Sequence, residues 1–595
     1  MNTVKAYKEV PVGTENFKEL RAYNGYYVDK TSFIKTVFTD LSPVLLFTRP
    51  RRFGKTLLIS TIATFLNINK DDPQNTEATH KLFEGTEIIK DKAFCERFLG
   101  RFPVIDISLK SIDGSSFEIA YRVLVDLLVA TANRYTYLLD SASLSSFDKR
   151  DFQHYLDKEY LYDHENDVVG FLDTLSRLLN KHFGSKVVIL IDEYDVPLAK
   201  ASNNGYHAQM AKLIGSFFNV LKNSNAVDKP ICKIIMTGCL KVAKNSIFTG
   251  VNNLLVNTVL DAVPKYSSLV GFNRNEVHEI LKYYDLADYS QLVKDHYDGY
   301  RFYQDEIFCP WDVMNFVAKN YHHIHIKNGT VGDIKAENFW INSSQATAIK
   351  GYVGYLSENV NSQLQDLVDG KNVEVPINDS MNYDDLNMHR PEDFYSLLLH
   401  TGYLTAVTNT HANFYEVRIP NKEILDCFCR NIKEYFDDSL ILGEENNAKR
   451  IAQALADGDA HTAQNLLSRY LKSFVSLRDI ATKSKPENFY HGFLNGILSC
   501  SGNSISEYRS NAEAGEGYAD IIFSGNDGSS GVIIEIKSGA KERSKELLQT
   551  AFEQIERKKY ASFFEDDAFI NEIHAYAMVF SGKQCLVRCK NITVG

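Results

Sequence analysis

The chain has 595 residues, of which 44% are hydrophobic and 24% charged, so it is a globular protein too long for a single hydrophobic core. Its formal net charge of -11 argues against a surface that coats nucleic acid throughout, and any such contact has to use local basic patches. The nine cysteines include no C-x-x-C pair, which favours a reducing compartment and no zinc ribbon. The sequence shows neither a signal core near Met1 nor an apolar run of about 18 residues. We therefore expect a cytoplasmic protein of several domains with no membrane partner.

The first chemical signature follows a buried-strand pattern at residues 44–48. The run Arg49-Pro-Arg51-Arg52-Phe-Gly54-Lys55-Thr56 precedes a helical pattern from Leu57 to Leu66, which is the layout of a phosphate-binding loop. Backbone amides at the helix start would hold a β-phosphate, Lys55 would reach the β- and γ-phosphates, and Thr56 would ligate Mg²⁺. The general loop has a glycine five residues before Gly54, where this chain has Arg49.

Two further apolar runs end in polar residues that suit the same chemistry. Residues 186–193 end in Asp192 and Glu193. Asp192 would hold Mg²⁺ through water, and Glu193 would polarise the attacking water. Residues 231–238 end near Thr237, which could sense a γ-phosphate. Runs at 103–108 and 254–260 complete five predicted strands separated by helical stretches, and this alternation predicts a largely parallel sheet with its ligands at the carboxyl ends of the strands.

These segments resemble the bacterial AAA-ATPase-like family. The likeness rests on residues 26–31, 49–56, 190–195 and 237–238, and in that family the first loop glycine is habitually replaced. The resemblance implies ATP as the cofactor. Arg49, Arg51 and Arg52 could contact phosphate directly, because guanidinium groups match phosphate oxygens. They could equally make the site a nucleotide binder that hydrolyses poorly.

The middle of the chain carries weaker signals. Residues 298–302 and 309–312 resemble an aromatic-rich motif that follows the ATPase core in the same family, and we interpret them as packing and turn residues. Residues 421–500 show a helical pattern of apolar residues at three- and four-residue spacing. His491 lies beside aromatic residues in this stretch, and we interpret it as a core or cap residue.

Near the C-terminus a predicted hairpin carries three chemical groups. Asp520 opens one apolar run, a Gly/Ser/Asn/Asp turn spans 524–531, and Glu535 and Lys537 lie in the second run. Strand side chains alternate, so Glu535 and Lys537 share one face. Carboxylates can hold Mg²⁺ and so activate water, while the lysine would orient that water or neutralise the phosphate. An ordinary hairpin whose solvent face carries Asp, Glu and Lys is the commoner explanation of an isolated E-x-K.

The surrounding residues resemble the PD-(D/E)XK nuclease superfamily. The likeness covers 510–520, 534–537 and a following helix with Gln554 and Tyr560, which match a weaker helix motif. It implies Asp520 and Glu535 as metal ligands, Lys537 as the catalytic lysine and Glu513 as an accessory acid. Ala512 and Tyr518 stand where relatives often carry a basic residue.

The fold class that follows is a multidomain α/β protein. We predict an AAA-ATPase-like P-loop domain at 1–270, a helical lid or middle region at 271–420, a helical connector at 421–500 and a PD-(D/E)XK nuclease-like domain at 501–595. The leading functional hypothesis is a nuclease dependent on Mg²⁺ or Mn²⁺, acting on DNA rather than RNA and coupled to ATP binding or hydrolysis.

Two other classes of protein stay open at this stage. One is a nucleotide-sensing interaction protein whose nuclease fold no longer cuts. The other is an ATP-driven remodeller, which would need an arginine finger, and Arg274 is the bare candidate for it. A homo-oligomer is also open, because paired nuclease domains would cut both strands of a duplex.

Overall fold

The computed structural model covers two compact units, one within residues 1–345 and 370–426 and the other within 346–369 and 427–595. It describes residues 7–593 except 224–228, 242–246, 249–250, 252, 262, 327–333, 341–357, 369, 379–380, 382, 384, 386–389, 429–446, 469, 472–485, 500, 502–503, 566, 568 and 582–583. Across these residues, we find no helix with the length and apolar character that a bilayer crossing requires. The cysteines in the described part are reduced.

A five-stranded parallel sheet forms the centre of the first unit. Its strands are β1 (Val44–Thr48), β2 (Val104–Ser108), β3 (Val187–Asp192), β4 (Ile231–Gly238) and β5 (Leu254–Asn257), in the order β2-β3-β4-β1-β5. The middle strands are runs of buried Val, Ile and Leu, as expected for parallel strands covered on both faces. The predicted parallel α/β architecture is confirmed.

Helices connect these strands and cover the sheet. The helix Lys55–Leu66 begins after Gly54, which adopts the left-handed conformation, and its buried residues pack towards β3. The other helices up to the end of the sheet are Phe17–Ala22, Ser32–Thr39, Glu77–Leu82, Lys92–Phe98, Phe117–Asn133, Ser146–His154, Lys158–Asp163, Glu165–Phe183, Val196–Asn203 and His207–Phe217.

The rest of the first unit mixes helices with short strands. The helices are Pro264–Ser267, Arg274–Tyr283, Ser290–Tyr297, Pro310–Ile326 and Pro391–Thr401. A hairpin is formed by β6 (Tyr300–Phe302) and β7 (Asp305–Ile307), and an antiparallel sheet by β8 (Val373–Pro376), β9 (Thr405–His411) and β10 (Phe414–Arg418) in the order β8-β10-β9. The region predicted as a helical lid therefore contains strands as well.

The second unit is built on a mixed five-stranded sheet. Its strands follow the chain order: β11 (Ile505–Ala514), β12 (Gly517–Gly525), β13 (Ser530–Ser538), β14 (Glu572–Ser581) and β15 (Gln584–Thr593). Only the β13–β14 pair is parallel, and the helix Ser544–Arg557 makes the crossover that a parallel pair requires. The predicted hairpin around residues 520–537 is the antiparallel β12–β13 pair.

Helices cover both faces of this second sheet. The crossover helix packs on one face, and the helices Asn447–Ala456 and Pro486–Ser499, together with residues 460–468, pack on the other. The stretch predicted as a connector thus supplies part of the core of the second unit, apart from its segments 429–446 and 472–485, which lie outside the described residues. The helix Glu358–Val368 also belongs to this unit.

Candidate functional sites

The loop between β1 and the helix Lys55–Leu66 is held closed by its own lysine. Lys55 is 4% exposed, and its Nζ donates to the carbonyl oxygens of Arg49 and Pro50, both at 3.1 Å. Its Nζ also lies 3.4 Å from a carboxylate oxygen of Glu193. Burial acts to lower the pKa of Lys55, but the surrounding groups, Glu193 among them, outweigh it, so the pKa is raised and the ammonium stays charged.

Three predicted site residues meet at the carboxyl ends of β3 and β4. The Thr56 hydroxyl donates to Asp192 Oδ2 at 2.8 Å, and the Thr237 hydroxyl donates to Asp192 Oδ1 at 2.5 Å. Burial raises the pKa of Asp192, and the two hydroxyl bonds oppose this shift. The sheet order explains the meeting, since β3, β4 and β1 are neighbours whose ends align.

The three loop arginines take different directions. The Arg49 guanidinium is buried and donates to backbone and side-chain oxygens of Asn257 and to the carbonyl of Tyr266, so it faces β5. Arg51 interacts electrostatically with Glu193 and lines the cavity described next. Arg52 donates to the Phe339 carbonyl at 2.8 Å, and the residue has a positive φ of 69°. Arg51 and Arg52 both line this cavity, and Arg49 is not among its lining residues.

A cavity of about 600 Å³ opens beside the phosphate loop. Residues 51–58 form one side, and Glu193 reaches it from β3. The remaining walls are largely apolar and aromatic, and include Tyr27, Phe33, Val270, Phe272 and Trp311. A pocket with an apolar body and charged groups at one end suits a nucleoside phosphate.

The oxygen donors around Asp192 fit a magnesium nucleotide. Mg²⁺ prefers hard oxygen ligands and keeps several waters, so one hydroxyl and one carboxylate are a sufficient protein contribution when phosphates supply the rest. Thr56 and Asp192 are the residues that would hold the ion. The Arg274 side chain, the candidate arginine finger, is 58% exposed and pairs with Glu306.

The second site lies where β12 and β13 run side by side. The register pairs Ile521 with Ile534, so Asp520 and Glu535 come next to each other on the two strands. Glu535 is 2% exposed, and its Oε1 accepts a hydrogen bond of 2.7 Å from Lys537 Nζ. Asp520 Oδ2 accepts one of 2.7 Å from the Ile536 amide. The three groups therefore form one cluster on adjacent strands.

Residues from flanking helices brace this cluster. Gln554 donates to the Tyr560 hydroxyl at 3.1 Å, and that hydroxyl donates to the Tyr518 carbonyl at 2.7 Å. Burial raises the pKa of Tyr560, and the charges of Glu535 and Asp520 add to this effect. From the opposite side His491 Nε2 donates to the Asp520 carbonyl at 2.9 Å. His491 thus supports the backbone at a candidate ligand, which its sequence neighbours did not indicate.

Glu513, the predicted accessory acid, is exposed to solvent, whereas Glu535 is buried. It is exposed on β11 and pairs in register with Tyr518, whose ring is 65% exposed. Across the described residues no group of three or more His, Cys, Asp and Glu side chains is arranged to hold a metal ion. Asp520 and Glu535 would therefore be two carboxylate ligands to an ion whose other positions are filled by water or substrate, which is usual for Mg²⁺.

Comparison with known proteins finds a family match within each unit. Residues 11–248 match the family model described as predicted AAA-ATPase, and residues 485–590 match that of the PD-(D/E)XK nuclease superfamily. The chain carries an AAA-ATPase-like domain and a PD-(D/E)XK nuclease-superfamily domain. It is also 25% identical over 321 residues to an uncharacterized protein in the vnfD 5' region of Azotobacter chroococcum mcd 1. That alignment spans 52% of this chain and 52% of the relative, about half the length of each.

One of the buried acids to which the sequence assigned no role is next to the nucleotide site. Asp195 lies two residues after Glu193 and is 1% exposed. Its position in the Asp-Glu-Tyr-Asp run was the available signal, because a second acid so close to a strand end rarely becomes buried without polar partners. The walls of the cavity were also missed, since they come from segments far apart in the sequence.

Proposed function

We propose that this chain is a nuclease dependent on Mg²⁺ or Mn²⁺, acting on DNA, whose activity is controlled by ATP bound to its AAA-ATPase-like domain. The main support is the cluster in the second unit, in which a buried Glu535 is bonded to Lys537 and lies beside Asp520. A buried carboxylate paired with a partly buried ammonium is costly to maintain for stability alone. Such a pair beside a second carboxylate on the neighbouring strand is typical of a catalytic site.

Each residue of the cluster has a definable task in phosphodiester hydrolysis. Asp520 and Glu535 would hold a divalent cation, which supplies a water of lowered pKa and neutralises charge on the phosphate. Lys537, fixed by Glu535, would hold the attacking water or a phosphate oxygen in line. His491, bonded to the carbonyl of Asp520 itself, and Tyr560, bonded to the carbonyl of Tyr518, would keep Asp520 in place.

The nucleotide site supports ATP binding in the first unit. Lys55 would exchange its bonds to the loop carbonyls for bonds to phosphate oxygens, and the backbone amides at the start of its helix would add to them. Thr56 and Asp192 would hold Mg²⁺, Glu193 would polarise water, and Thr237 would contact the γ-phosphate. The base and ribose would fill the apolar cavity.

The test uses the purified full chain with linear, circular and single-stranded DNA and with RNA. Cleavage is measured with and without ATP, in Mg²⁺, Mn²⁺ or a chelator, and nucleotide binding is measured in parallel. We expect metal-dependent cleavage of DNA, and a loss of about 100-fold or more in Lys537→Ala and Asp520→Asn. Lys590→Ala is the matched control, because it removes an exposed lysine of the same sheet, which pairs with Glu556 of the crossover helix.

Four results would each overturn a part of this proposal. Undiminished cleavage in Lys537→Ala would show that the cluster is not the catalytic site. A wild-type chain that cuts none of the substrates and shows no saturable heat on titration with Mg²⁺ or Mn²⁺ would favour the nucleotide-sensing interaction protein. Cleavage of RNA alone would refute the choice of DNA. Retained ATP binding in Lys55→Ala would refute the role of the phosphate loop.

A further inference from the structure

The Asp195 carboxylate joins three separate parts of the first unit. It follows β3 in sequence, and it accepts hydrogen bonds from the backbone amides of Cys239, at 3.1 and 3.2 Å, and of Leu240, at 2.9 Å, just after β4. Its third partner is the Tyr383 hydroxyl, which donates to Asp195 Oδ2 at 2.9 Å. Asp195 and Tyr383 are both buried. One carboxylate therefore receives donors from the turn after β4 and from a segment 188 residues away.

Residues 237–240, which are the last two residues of β4 and the turn that follows them and are called the β4 turn below, fit closely around this carboxylate. A Cβ atom on Gly238 would lie 2.6 Å from Asp195 Oδ1 and 2.5 Å from the Tyr194 ring, so only glycine fits there. The Tyr194 hydroxyl donates to the Leu240 carbonyl at 2.6 Å, and the Tyr194 amide donates to the Thr237 carbonyl at 3.0 Å. The turn is thus bonded at both ends to the residues that follow β3.

The same turn contacts the nucleotide site directly. It begins at Thr237, which is bonded to Asp192, and its Gly238 carbonyl accepts from the Arg49 amide at 3.0 Å. Cys239 Sγ lies 3.6 Å from Lys55 Nζ. A shift of Thr237 or Lys55 towards a γ-phosphate would therefore act on the backbone that Asp195 holds.

Tyr383 connects this carboxylate to a helix far along the chain. Its carbonyl accepts from the Ser202 hydroxyl at 3.3 Å. On the two sides of Tyr383, Asn378 and Arg390 both bond to Asp393 at 2.6 Å, and Asp393 lies in the helix Pro391–Thr401. Asn378 and Arg390, which precede and follow Tyr383 in the sequence, are therefore both bonded to that helix.

The site needs an acceptor without hydrogens. Two backbone amides and a hydroxyl converge on Asp195, and an asparagine would replace one acceptor oxygen by a donor facing donors. Burial raises the pKa of Asp195 and the nearby Glu193 adds to this, while the hydrogen bonds and the Lys55 ammonium act the other way. Arg51, Glu193 and Lys55 are the charged groups that face this region from the loop and from β3.

We infer that Asp195 is a positioning residue of the nucleotide site: it fixes the turn after Thr237 and transmits the state of that turn, through the Tyr383 hydroxyl, to the helix Pro391–Thr401. The inference rests on the proposed ATP binding and goes beyond it. It assigns to residues outside the nucleotide cavity the task of reporting a bound γ-phosphate.

The test compares Tyr383→Phe with wild type in the full chain. Affinity for ATPγS is measured by titration, and hydrogen exchange of residues 370–401 is measured with ATPγS and with ADP. We expect wild type to show a difference in exchange between the two nucleotides. Tyr383→Phe should bind ATPγS within about threefold of wild type, because it loses one hydroxyl bond outside the cavity, but should lose that difference. Tyr206→Phe is the matched control, since its part-buried hydroxyl donates to the Gly114 carbonyl at 2.8 Å elsewhere in the unit.

Asp195→Asn extends the test to the carboxylate. This substitution should weaken ATPγS binding by about tenfold or more, because the β4 turn loses its fixed position. It should also abolish the difference in hydrogen exchange between ATPγS and ADP. The inference would be overturned if the difference in hydrogen exchange between ATPγS and ADP were the same in Tyr383→Phe as in Tyr206→Phe. It would also be overturned if wild type bound ATPγS but showed no such difference. A wild type that binds no ATPγS would instead refute the proposed nucleotide function, so the two failures are distinguishable.

Discussion

The Arg49 guanidinium joins strands of the first sheet from within its core. It donates to the Thr48 carbonyl, to both the carbonyl and side-chain oxygens of Asn257, and to the Tyr266 carbonyl, at distances of 2.6–3.0 Å. It also lies over the Phe302 ring at 5.3 Å. Burial lowers the pKa of Arg49 to about 10, so the group stays charged at neutral pH. These bonds account for an arginine at the first position of this phosphate loop.

Arg49→Lys should therefore reduce stability more than nucleotide affinity. A lysine cannot reproduce the planar fork, and the oxygens of Asn257 and Tyr266 would lose their donors. We expect a loss of about 2–4 kcal/mol in the free energy of unfolding, with ATP affinity at low temperature within about threefold of wild type. Thermal unfolding and nucleotide titration measure the two effects. Arg101→Lys, at an exposed arginine bonded to Gln74, is the control. Unchanged stability with much weaker binding would instead assign Arg49 to the phosphate.

Two carboxyl groups lie together in the core of the first unit. Asp312 and Glu423 are both fully buried, and Glu423 Oε1 accepts from the Trp340 amide at 2.6 Å. Burial raises the pKa of each above its ordinary value, and the proximity of Asp312 adds to the shift of Glu423. Charged Arg52 acts in the opposite direction on Asp312. The pair keeps a proton in the folded protein at a pH where exposed carboxyls have lost theirs.

This pair should make stability fall as pH rises. Between about pH 4, where unfolded carboxyls ionise, and the raised pKa values of the folded pair, the folded state binds more protons than the unfolded state. The stabilisation is complete below about pH 4 and is lost as pH rises through neutrality. Asp312→Asn removes one of the titrating groups, so its melting temperature should depend less on pH between 5 and 8. Asp106→Asn, at an exposed carboxylate paired with Arg134, should keep the wild-type slope. Parallel slopes in all three proteins would contradict the assignment.

At the scale of elements, burial on both faces decides what the sequence can predict. The strands β1, β3 and β4 are covered on both sides, so their apolar runs are continuous and could be predicted closely. By contrast, β9 is exposed over most of its length, and β6 and β7 have three residues each. None of these three strands has a clear apolar pattern in the sequence.

Turns set the limits of other elements. The run predicted to 260 ends as a strand at Asn257, because Thr258 and Asp261 form a hydrogen-bonded turn. Gly299 has a φ of 114°, and a Cβ atom there would lie 1.9 Å from the Pro420 carbonyl. The motif around Gly299 therefore packs on a segment more than a hundred residues away, which no local pattern in the sequence could indicate.

The candidate sites were predictable where local rules fix side-chain direction. Alternation along β13 places Glu535 and Lys537 on one face, and aligned strand ends bring Asp192 to Thr237. Local rules did not reach Arg49, whose direction depends on Asn257, 208 residues away.

At the scale of the whole molecule, the two candidate sites lie in different compact units. The described nucleotide-site residues belong to the unit within 1–345 and 370–426, and the nuclease cluster belongs to the unit within 427–595. The chain passes from one unit to the other three times, since residues 346–369 belong to the second unit and are flanked on both sides by the first. A nucleotide-dependent change in residues 370–426 would thus act on covalent connections at both ends of that segment.

We predict that ATP binding, rather than its hydrolysis, controls DNA cleavage, because the change proposed for residues 370–426 depends on a bound γ-phosphate. Lys55→Ala should lose ATP affinity and with it any effect of ATP on DNA cleavage, while its metal-dependent cleavage without ATP equals that of wild type. Glu193→Gln keeps the phosphate loop but lacks the carboxylate that would polarise water, so it should bind ATP and hydrolyse it at least tenfold more slowly. At limiting ATP, wild type should return to its cleavage rate without ATP once it has hydrolysed the nucleotide. Glu193→Gln should keep its cleavage rate with ATP for longer. Time courses of cleavage at limiting ATP measure the difference. If ATP binds to Glu193→Gln but has no effect on its DNA cleavage, as in Lys55→Ala, hydrolysis is the controlling step. If ATP changes cleavage equally in Lys55→Ala and wild type, the two units are not coupled through this site.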